Sequence, residues 1–191
     1  MKPLIVAMTG ATGANYGIRL LQVLREKSVK VHLVISPWAE KTISAETDYS
    51  LDEIKKLATK CYPVDDLSAP ISSGSFPVEG MVIIPCSMKT LAAIAHGLST
   101  NLIVRAADVT LKEKRKLILL PRESPLNLIH LRNMTTAAEA GAIILPPMPA
   151  FYFQPKSIAD LIDHTVGKVL DFLGVEHHLF PRWGQKRPGR S

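Results

Sequence analysis

Short, wholly apolar runs alternate with amphipathic segments along almost this entire chain, and that alternation narrows its fold more than any other feature. Leu4 to Met8, Val31 to Ile35, Met81 to Ile84, Leu117 to Leu120 and Ala142 to Leu145 are too short for helices and lack polar alternation. They read as strands buried on both faces. Helical spacing fills the intervals: Asn15 to Lys27 (Ile18, Leu21 and Leu24 on one face), Pro37 to Glu46, Met88 to His96, Leu102 to Lys114 and Pro125 to Ala140. Ser50-Leu-Asp-Glu53 is a capping box opening a short helix to about Thr59. Ser157-Ile-Ala-Asp160 caps a last helix with Ile158, Leu161, Ile162, Val166, Val169, Leu170 and Leu173 on one face. Strand–helix alternation of this kind predicts an α/β fold: a single-domain, Rossmann-like three-layer sandwich with a mostly parallel sheet. The domain is expected over residues 1–183. Residues 63–80 read mainly as loop, and 184–191 as a basic tail expected to be disordered.

Composition enters as a set of exclusions. A chain of 191 residues buries a core without help from disulfides or structural zinc, and Cys61 and Cys86 are far apart and in no C-x-x-C pair. A reducing, cytoplasmic compartment is the expectation. There is no apolar run long enough to span a membrane, and Leu4 to Met8 passes directly into a glycine turn, as a strand does and a signal peptide does not. The formal charge of +6 is concentrated at the end, because Arg182, Lys186, Arg187 and Arg190 fall in a stretch without acids. The remaining body carries only +2, which gives little footing for nucleic-acid binding.

In parallel sheets, ligands bind beyond the carboxyl ends of the strands, where helix N-termini point outward. Four apolar runs here are followed at once by polar or glycine-rich turns: Thr9-Gly10-Ala11-Thr12-Gly13, Ser36-Pro37, Pro85-Cys86-Ser87-Met88-Lys89-Thr90 and Pro121-Arg122-Glu123-Ser124-Pro125. Gly10 and Gly13 would let backbone amides approach an anion, Thr12 and Ser87 add hydroxyls, and Lys89 and Arg122 add charge. A phosphate-bearing ligand is the direct inference. The bland alternative is a tight turn at the glycines and plain helix caps at Ser36, Ser87 and Ser124.

The kind of phosphate can be narrowed. Gly10 to Gly17 does not supply the P-loop pattern. A dinucleotide site places an acid at the end of the second strand, where this chain has Ser36, with Glu40 a turn further on. A mononucleotide such as FMN fits better. The six histidines have no metal-ligand spacing, and the adjacent His177 and His178 read as exposed. Ser72-Ser73-Gly74-Ser75 is not a nucleophile elbow, and Asp65-Asp66 lacks the further acid of a magnesium motif.

Gly10-Ala-Thr-Gly-Ala14, Ile71-Ser-Ser-Gly-Ser-Phe76, Pro85-Cys-Ser-Met-Lys-Thr90, Arg105-Ala-Ala-Asp-Val109, Pro121-Arg-Glu123 and Pro146-Pro-Met-Pro-Ala-Phe-Tyr152 occur here in this order. Together they resemble the UbiX family of flavin prenyltransferases from about Lys2 to Trp183. The resemblance implies a Rossmann-like fold that binds FMN and joins a dimethylallyl group from dimethylallyl phosphate to N5 and then C6 of the reduced flavin. It implies no metal, a dodecamer with sites between subunits, and a product, prenylated FMN, used by UbiD-type decarboxylases. Carried over, Gly10, Ala11 and Thr12 match the first flavin turn, Ser36 the serine after the second strand, and Ser87, Met88, Lys89 and Thr90 the second flavin loop. Arg122 matches an arginine near flavin and substrate phosphate, and Glu123 the acid beside it. Tyr152 and Lys168 match the dimethylallyl-phosphate ligands, Arg105 and Lys112 basic positions reaching a neighbouring subunit's site, and Trp183 an aromatic near the end. Thr12 is a departure, since many members carry serine there; the hydroxyl is kept and a methyl is added where the turn meets N5.

The chemistry asks for these types. Negative charge builds on the departing phosphate, so fixed cations such as Arg122 and Lys168 stabilise it, each preorganised donor being worth ~3–4 kcal/mol. Allylic positive charge is met by π faces, including Trp183, and ring closure at C6 needs a base such as Glu123. Plain structural roles compete. Lys168 is placed for an i,i+3 pair with Asp171, Tyr152 for packing between Phe151 and Phe153, and Arg105 and Lys112 for an exposed helix face. Glu123 would pair with a nearby base and Trp183 would anchor a subunit contact. Two other functions compete: a flavin-dependent oxidative decarboxylase acting on a peptidyl-type cysteine, and a non-catalytic FMN carrier or decarboxylase subunit.

Overall fold

The computed structural model describes residues 2–184. The expected disorder of the basic tail therefore lies, Gly184 apart, outside the described residues. In chain order the elements are β1 (Leu4–Met8), α1 (Ala14–Glu26), β2 (Val31–Ile35), α2 (Pro37–Glu46), α3 (Leu51–Lys55) and β3 (Lys60–Tyr62). There follow a 3₁₀ turn (Pro70–Ser72), β4 (Gly80–Cys86), α4 (Met88–Ala95), α5 (Leu102–Lys112), β5 (Lys116–Pro121), α6 (Leu128–Glu139), β6 (Ile143–Ile144) and α7 (Ile158–Leu173).

The strands pair in the order β3-β2-β1-β4-β5-β6, and every pairing is parallel. Side chains of β1 alternate between two cores, as the period of a strand requires. Leu4, Val6 and Met8 pack with Ile18, Leu21 and Leu24 of α1 and with Val166 and Leu170 of α7. Ile5 and Ala7 join Leu91 of α4 and Leu102, Ile103 and Ala106 of α5 on the opposite face. A strand buried on both faces has no polar side to display, which is why its sequence is apolar throughout. The three-layer sandwich expected from the alternation is present, with a wholly parallel sheet.

Several boundaries moved for local physical reasons. β3 escaped notice because it is a three-residue edge strand that begins on an exposed lysine, too short for any period to register. The Ser124-Pro125 pair does not cap α6. Asn127 does, accepting from the His130 amide while the His130 ring reciprocates toward the Asn127 amide, so residues 122–126 stay in the loop beyond β5. α3 stops at Lys55, short of Thr59. On α7, Val166, Val169, Leu170 and Leu173 are buried as expected, but Ile158, in the first turn, is 76% exposed. His177, expected at the surface beside His178, is buried with Nε2 3.1 Å from Asp171 Oδ1, whereas His178 is exposed.

Gly17 of α1 sits tight against the sheet. A Cβ there would lie 2.6 Å from the Ile84 carbonyl oxygen and 2.8 Å from Met8 Cε. Gly17→Ala should therefore cost about 1–3 kcal/mol despite the better helix propensity of alanine. Urea unfolding checks this, and an unchanged midpoint would mean that α1 can lift off β4 freely.

Candidate active site

β1 and β4 lie side by side at the point where the strand order reverses, so α1 leaves toward one core and α4 toward the other. The connections part and leave a crevice between the two strand ends, the usual ligand position in such sheets. Thr9 stitches the crevice floor. Its buried hydroxyl donates to the Pro85 carbonyl at 2.9 Å and accepts from the Ser87 amide at 2.7 Å. Ser87 caps α4 by accepting from the Thr90 amide at 3.3 Å, and the two hydroxyls lie 3.1 Å apart. The cap satisfies the third amide of α4 and leaves those of Met88 and Lys89 without an intrahelical partner. Lys89 itself is exposed beside them.

Across the crevice, the first turn is shaped by the start of α2. A Cβ at Gly10 would lie 2.3 Å from Trp38 Cβ, so only glycine lets the turn pass beneath that helix. Trp38 is 65% exposed, and Lys41 Nζ stands 4.3 Å from its ring centroid. Ser36, half-buried, accepts from the Ala39 amide at 3.1 Å and keeps its own hydroxyl hydrogen for another partner. Ala11 and Thr12 complete the turn, and Gly13 adopts φ 106°, a conformation that disfavours any side chain.

The anion at the N-terminus of α1 is the protein's own. Glu46, the last residue of α2, accepts through Oε2 from the amides of Gly13 at 2.8 Å and Ala14 at 3.0 Å. Burial pushes its carboxyl up, but the Thr12 hydroxyl, those two amides and the Arg122 cation outweigh this and hold it below the ordinary carboxylate range. The expectation that Gly10 to Gly13 offers this helix end to a phosphate is thus corrected at Gly13, whose amide is taken. No sequence signal marked Glu46, because its partners lie over thirty residues upstream.

Arg122 enters from the end of β5, near Gly13. Its Nε is buried without a hydrogen-bond partner among the described residues. A buried guanidinium donor left unpaired is costly, and an acceptor placed in the crevice would satisfy it. Glu123 next to it is exposed, with its carboxylate accepting from the Ser124 amide at 3.1 Å.

Tyr152, Lys168 and Trp183 form a second group along α7, and no hydrogen bond, ion pair or ring contact among the described residues ties them to the crevice of the same chain. Trp183 is 81% exposed and packs edge-on against Tyr152 at 5.4 Å between centroids. Lys168 Nζ is 3.9 Å from Asp171 Oδ2, the i,i+3 pair open from the sequence. Asp171 also takes two hydrogen bonds from Arg182, at 2.6 and 3.0 Å, pinning the segment that carries Trp183. Arg182 foremost, and His177 with it, hold the Asp171 carboxyl below its usual range against the opposing effect of burial. Arg105 and Lys112 form a third group on α5. Arg105 bonds Asp108 at 2.9 Å and the Ser72 carbonyl at 3.2 Å; Lys112 pairs with Glu113 near the amino end of β5.

The structure therefore brings together Gly10, Ala11, Thr12, Ser36, Ser87, Met88, Lys89, Thr90, Arg122 and Glu123, while Tyr152, Lys168, Trp183, Arg105 and Lys112 make no hydrogen bond, ion pair or ring contact with that set. Glycine turn, hydroxyls and orphaned guanidinium fit a flavin mononucleotide. A separate cleft of about 620 Å3 opens beyond β2 and β3, lined by Ile35, Glu40, Cys61, Tyr62 and Asp65. It offers no cluster of amides and hydroxyls comparable to the crevice. Among the described residues no group of three or more His, Cys, Asp or Glu side chains could hold a metal ion.

A doubly wound parallel sheet with this loop set at its switch point defines an α/β flavoprotein, and the Flavoprotein family profile matches residues 1–173. The mitochondrial flavin prenyltransferase PAD1 of Saccharomyces cerevisiae is 56% identical over 182 residues, covering 95% of this chain and 75% of that protein. The crystal structure of AnUbiX in complex with FMN and dimethylallyl pyrophosphate superposes with a TM-score of 0.95 at 52% identity, covering 97% of this chain and 99% of that one. A dodecameric FMN-dependent UbiX-like decarboxylase from Escherichia coli O157:H7 gives 0.93 at 52% identity, over 96% and 100%. The chain belongs to the UbiX family of flavin prenyltransferases.

Thr9→Val removes both bonds across the crevice floor, and should lower stability by about 1–3 kcal/mol and weaken FMN binding together. Urea unfolding and flavin titration check the pair; loss of stability with full flavin affinity would separate Thr9 from the site. Glu46 contributes stability that is present above its ordinary pKa and lost as pH falls through its lowered folded value. Glu46→Gln should accordingly flatten the acid limb of the stability profile, and an unaltered limb would count against the Glu46–amide contacts.

Proposed function

We propose that this enzyme joins a dimethylallyl group from dimethylallyl phosphate to N5 and C6 of reduced FMN, releasing prenylated FMN for UbiD-type decarboxylases, without a metal. The observation that carries the reading is the buried Arg122 Nε, which has no hydrogen-bond partner among the described residues and lies beside Gly13 at the end of the β1 loop. Gly10, Ala11, Thr12, Ser36, Ser87, Met88, Lys89 and Thr90 hold the flavin there. The reduced flavin supplies the nucleophilic positions. Arg122 and Lys168 draw off the charge of the departing phosphate, Tyr152 hydrogen-bonds it, and Trp183 offers a π face to the allylic carbons. Thr12 lies where the turn meets N5, and Glu123, exposed and next to Arg122, takes the proton lost at C6.

The separation of the three groups supports a site shared between subunits. Within one chain Tyr152 and Lys168 lie along α7 and Arg105 and Lys112 along α5, so a neighbour must bring them to the crevice. A homo-oligomer, a dodecamer as in the relative from Escherichia coli O157:H7, supplies such neighbours. Lys168 and Arg122 also weigh against a cysteine-type oxidative decarboxylase or a passive FMN carrier, neither of which has a phosphate to expel. We place the protein in the cytoplasm on its two free thiols, Cys61 and Cys86, although the yeast relative is named as mitochondrial. No helix among the described residues is long and apolar enough to cross a membrane.

Anaerobic incubation with reduced FMN and dimethylallyl phosphate, followed by mass spectrometry of the flavin, should show a gain of one five-carbon unit. Unchanged flavin despite tight binding would favour the carrier. Lys168→Ala should weaken dimethylallyl phosphate about tenfold and spare FMN, the scale of a charged hydrogen bond at a half-exposed site. Glu123→Gln should keep FMN and slow the late step; an unchanged single-turnover rate would remove the base role.

A further inference from the structure

Among the described residues, His164 is a titratable side chain within hydrogen-bonding distance of the Tyr152 hydroxyl that has no role in the reading above. It stands on α7 one turn before Lys168, with Nε2 3.4 Å from Tyr152 Oη. Its ring is wedged in place. Phe153 stacks on it at 5.3 Å with an interplanar angle of 11°, and Phe180 leans against it at 4.6 Å. Tyr152 meets it edge-on at 5.8 Å, while its own ring also contacts Phe153 and Trp183. Among the described residues His164 makes no other hydrogen bond, so the clamp presents one nitrogen to one partner.

We propose that His164 is a positioning residue for the allylic phosphate: held between Phe153 and Phe180, it grips Tyr152 Oη through Nε2 and presents the phenol to the substrate's phosphate. The proposal rests on the placement of Tyr152 at that phosphate. With the imidazole proton on Nε2, the ring donates to Tyr152 Oη, and the phenolic hydrogen is left for a phosphate oxygen. The charged groups around it favour this arrangement. Burial foremost, and the neighbouring Lys168 cation, push the His164 pKa down and so favour the neutral ring, against the weaker pull of Asp171, whose charge is already shared with Arg182 and His177. Tyr152 is exposed, so without this grip its hydroxyl would sweep through solvent. A distance of 3.4 Å is long, as such contacts commonly are before substrate arrives, and it shortens as the phosphate draws the phenol in.

The test is a set of variants of the FMN-loaded enzyme, read by calorimetric titration with dimethylallyl phosphate and by the KM for the same compound. His164→Phe keeps the aromatic stack but removes the nitrogen. It should weaken dimethylallyl phosphate about fivefold in both measurements, the scale of one neutral hydrogen bond, with FMN affinity and unfolding midpoint unchanged. His164→Gln, whose amide can reach the phenol, should recover most of that loss. In a Tyr152→Phe background, His164→Phe should have no further effect, because the hydroxyl through which it acts is gone. Additive losses in the double variant, equal losses in the Gln and Phe variants, or a parallel fall in FMN affinity would each overturn the proposal. Wild-type turnover, measured alongside, reports on the prenyltransferase reading itself: an inactive wild type sinks that reading, whereas an active wild type with a silent His164→Phe sinks only the role of His164.

Discussion

Everything at the site hangs on the parallel pairing of β1 with β4 and on Thr9, which locks the two strand ends together. With one side chain bonded to both Pro85 and Ser87, the two outgoing loops hold a fixed spacing while their helices diverge to opposite cores. A crevice made this way needs no cavity in the packed interior. Its walls are loop backbone and helix starts, where amides and hydroxyls are available without being stripped of partners elsewhere.

Electrostatics then divides the edge into two kinds of anion position. At α1 the chain supplies its own carboxylate, Glu46, so that helix end is neutralised internally. At α4 and at Arg122 the donors stay open. This asymmetry gives the crevice a polarity. One side is closed by an internal charge tied to Thr12 and Gly13, and the other is ready for an external phosphate. The second anion position, along α7, is assembled on different principles. Lys168 is tethered to Asp171, and an aromatic cluster of Tyr152, Phe153, His164, Phe180 and Trp183 makes a firm surface from the segments before and after that helix and one histidine on it.

Much of the fold was legible because buried parallel strands leave a strong mark: five apolar runs placed five of the six strands. β3 was invisible because a three-residue edge strand that opens on an exposed lysine is too short to show a period, even though Tyr62 at its end is buried. The start of α6 was misplaced because a Ser-Pro pair resembles a cap, while the real cap, Asn127 with His130, depends on a reciprocal side-chain bond. At the site, the loops that hold Gly10, Ser36, Ser87 and Arg122 were readable from their position after apolar runs. Tyr152, Lys168, Arg105 and Lys112 were not, since a tyrosine between two phenylalanines reads as a packed aromatic and cations on a helix read as solvated. Glu46 and His164 went unmarked, and Thr9, named only as part of the first turn, carried no role, for a related reason: their partners are far away in sequence or lie on another element.

The amino-acid sequence by itself determined the class of sheet, the layer on each face and the loops at the carboxyl edge, because periodicity and turn chemistry are local properties of the chain. Only the tertiary structure decided which carboxylate fills the N-terminus of α1, which guanidinium donor is left unpaired and which imidazole grips the exposed phenol. Those are contacts set by how the layers and loops close over one another, and spacing along the chain does not report them.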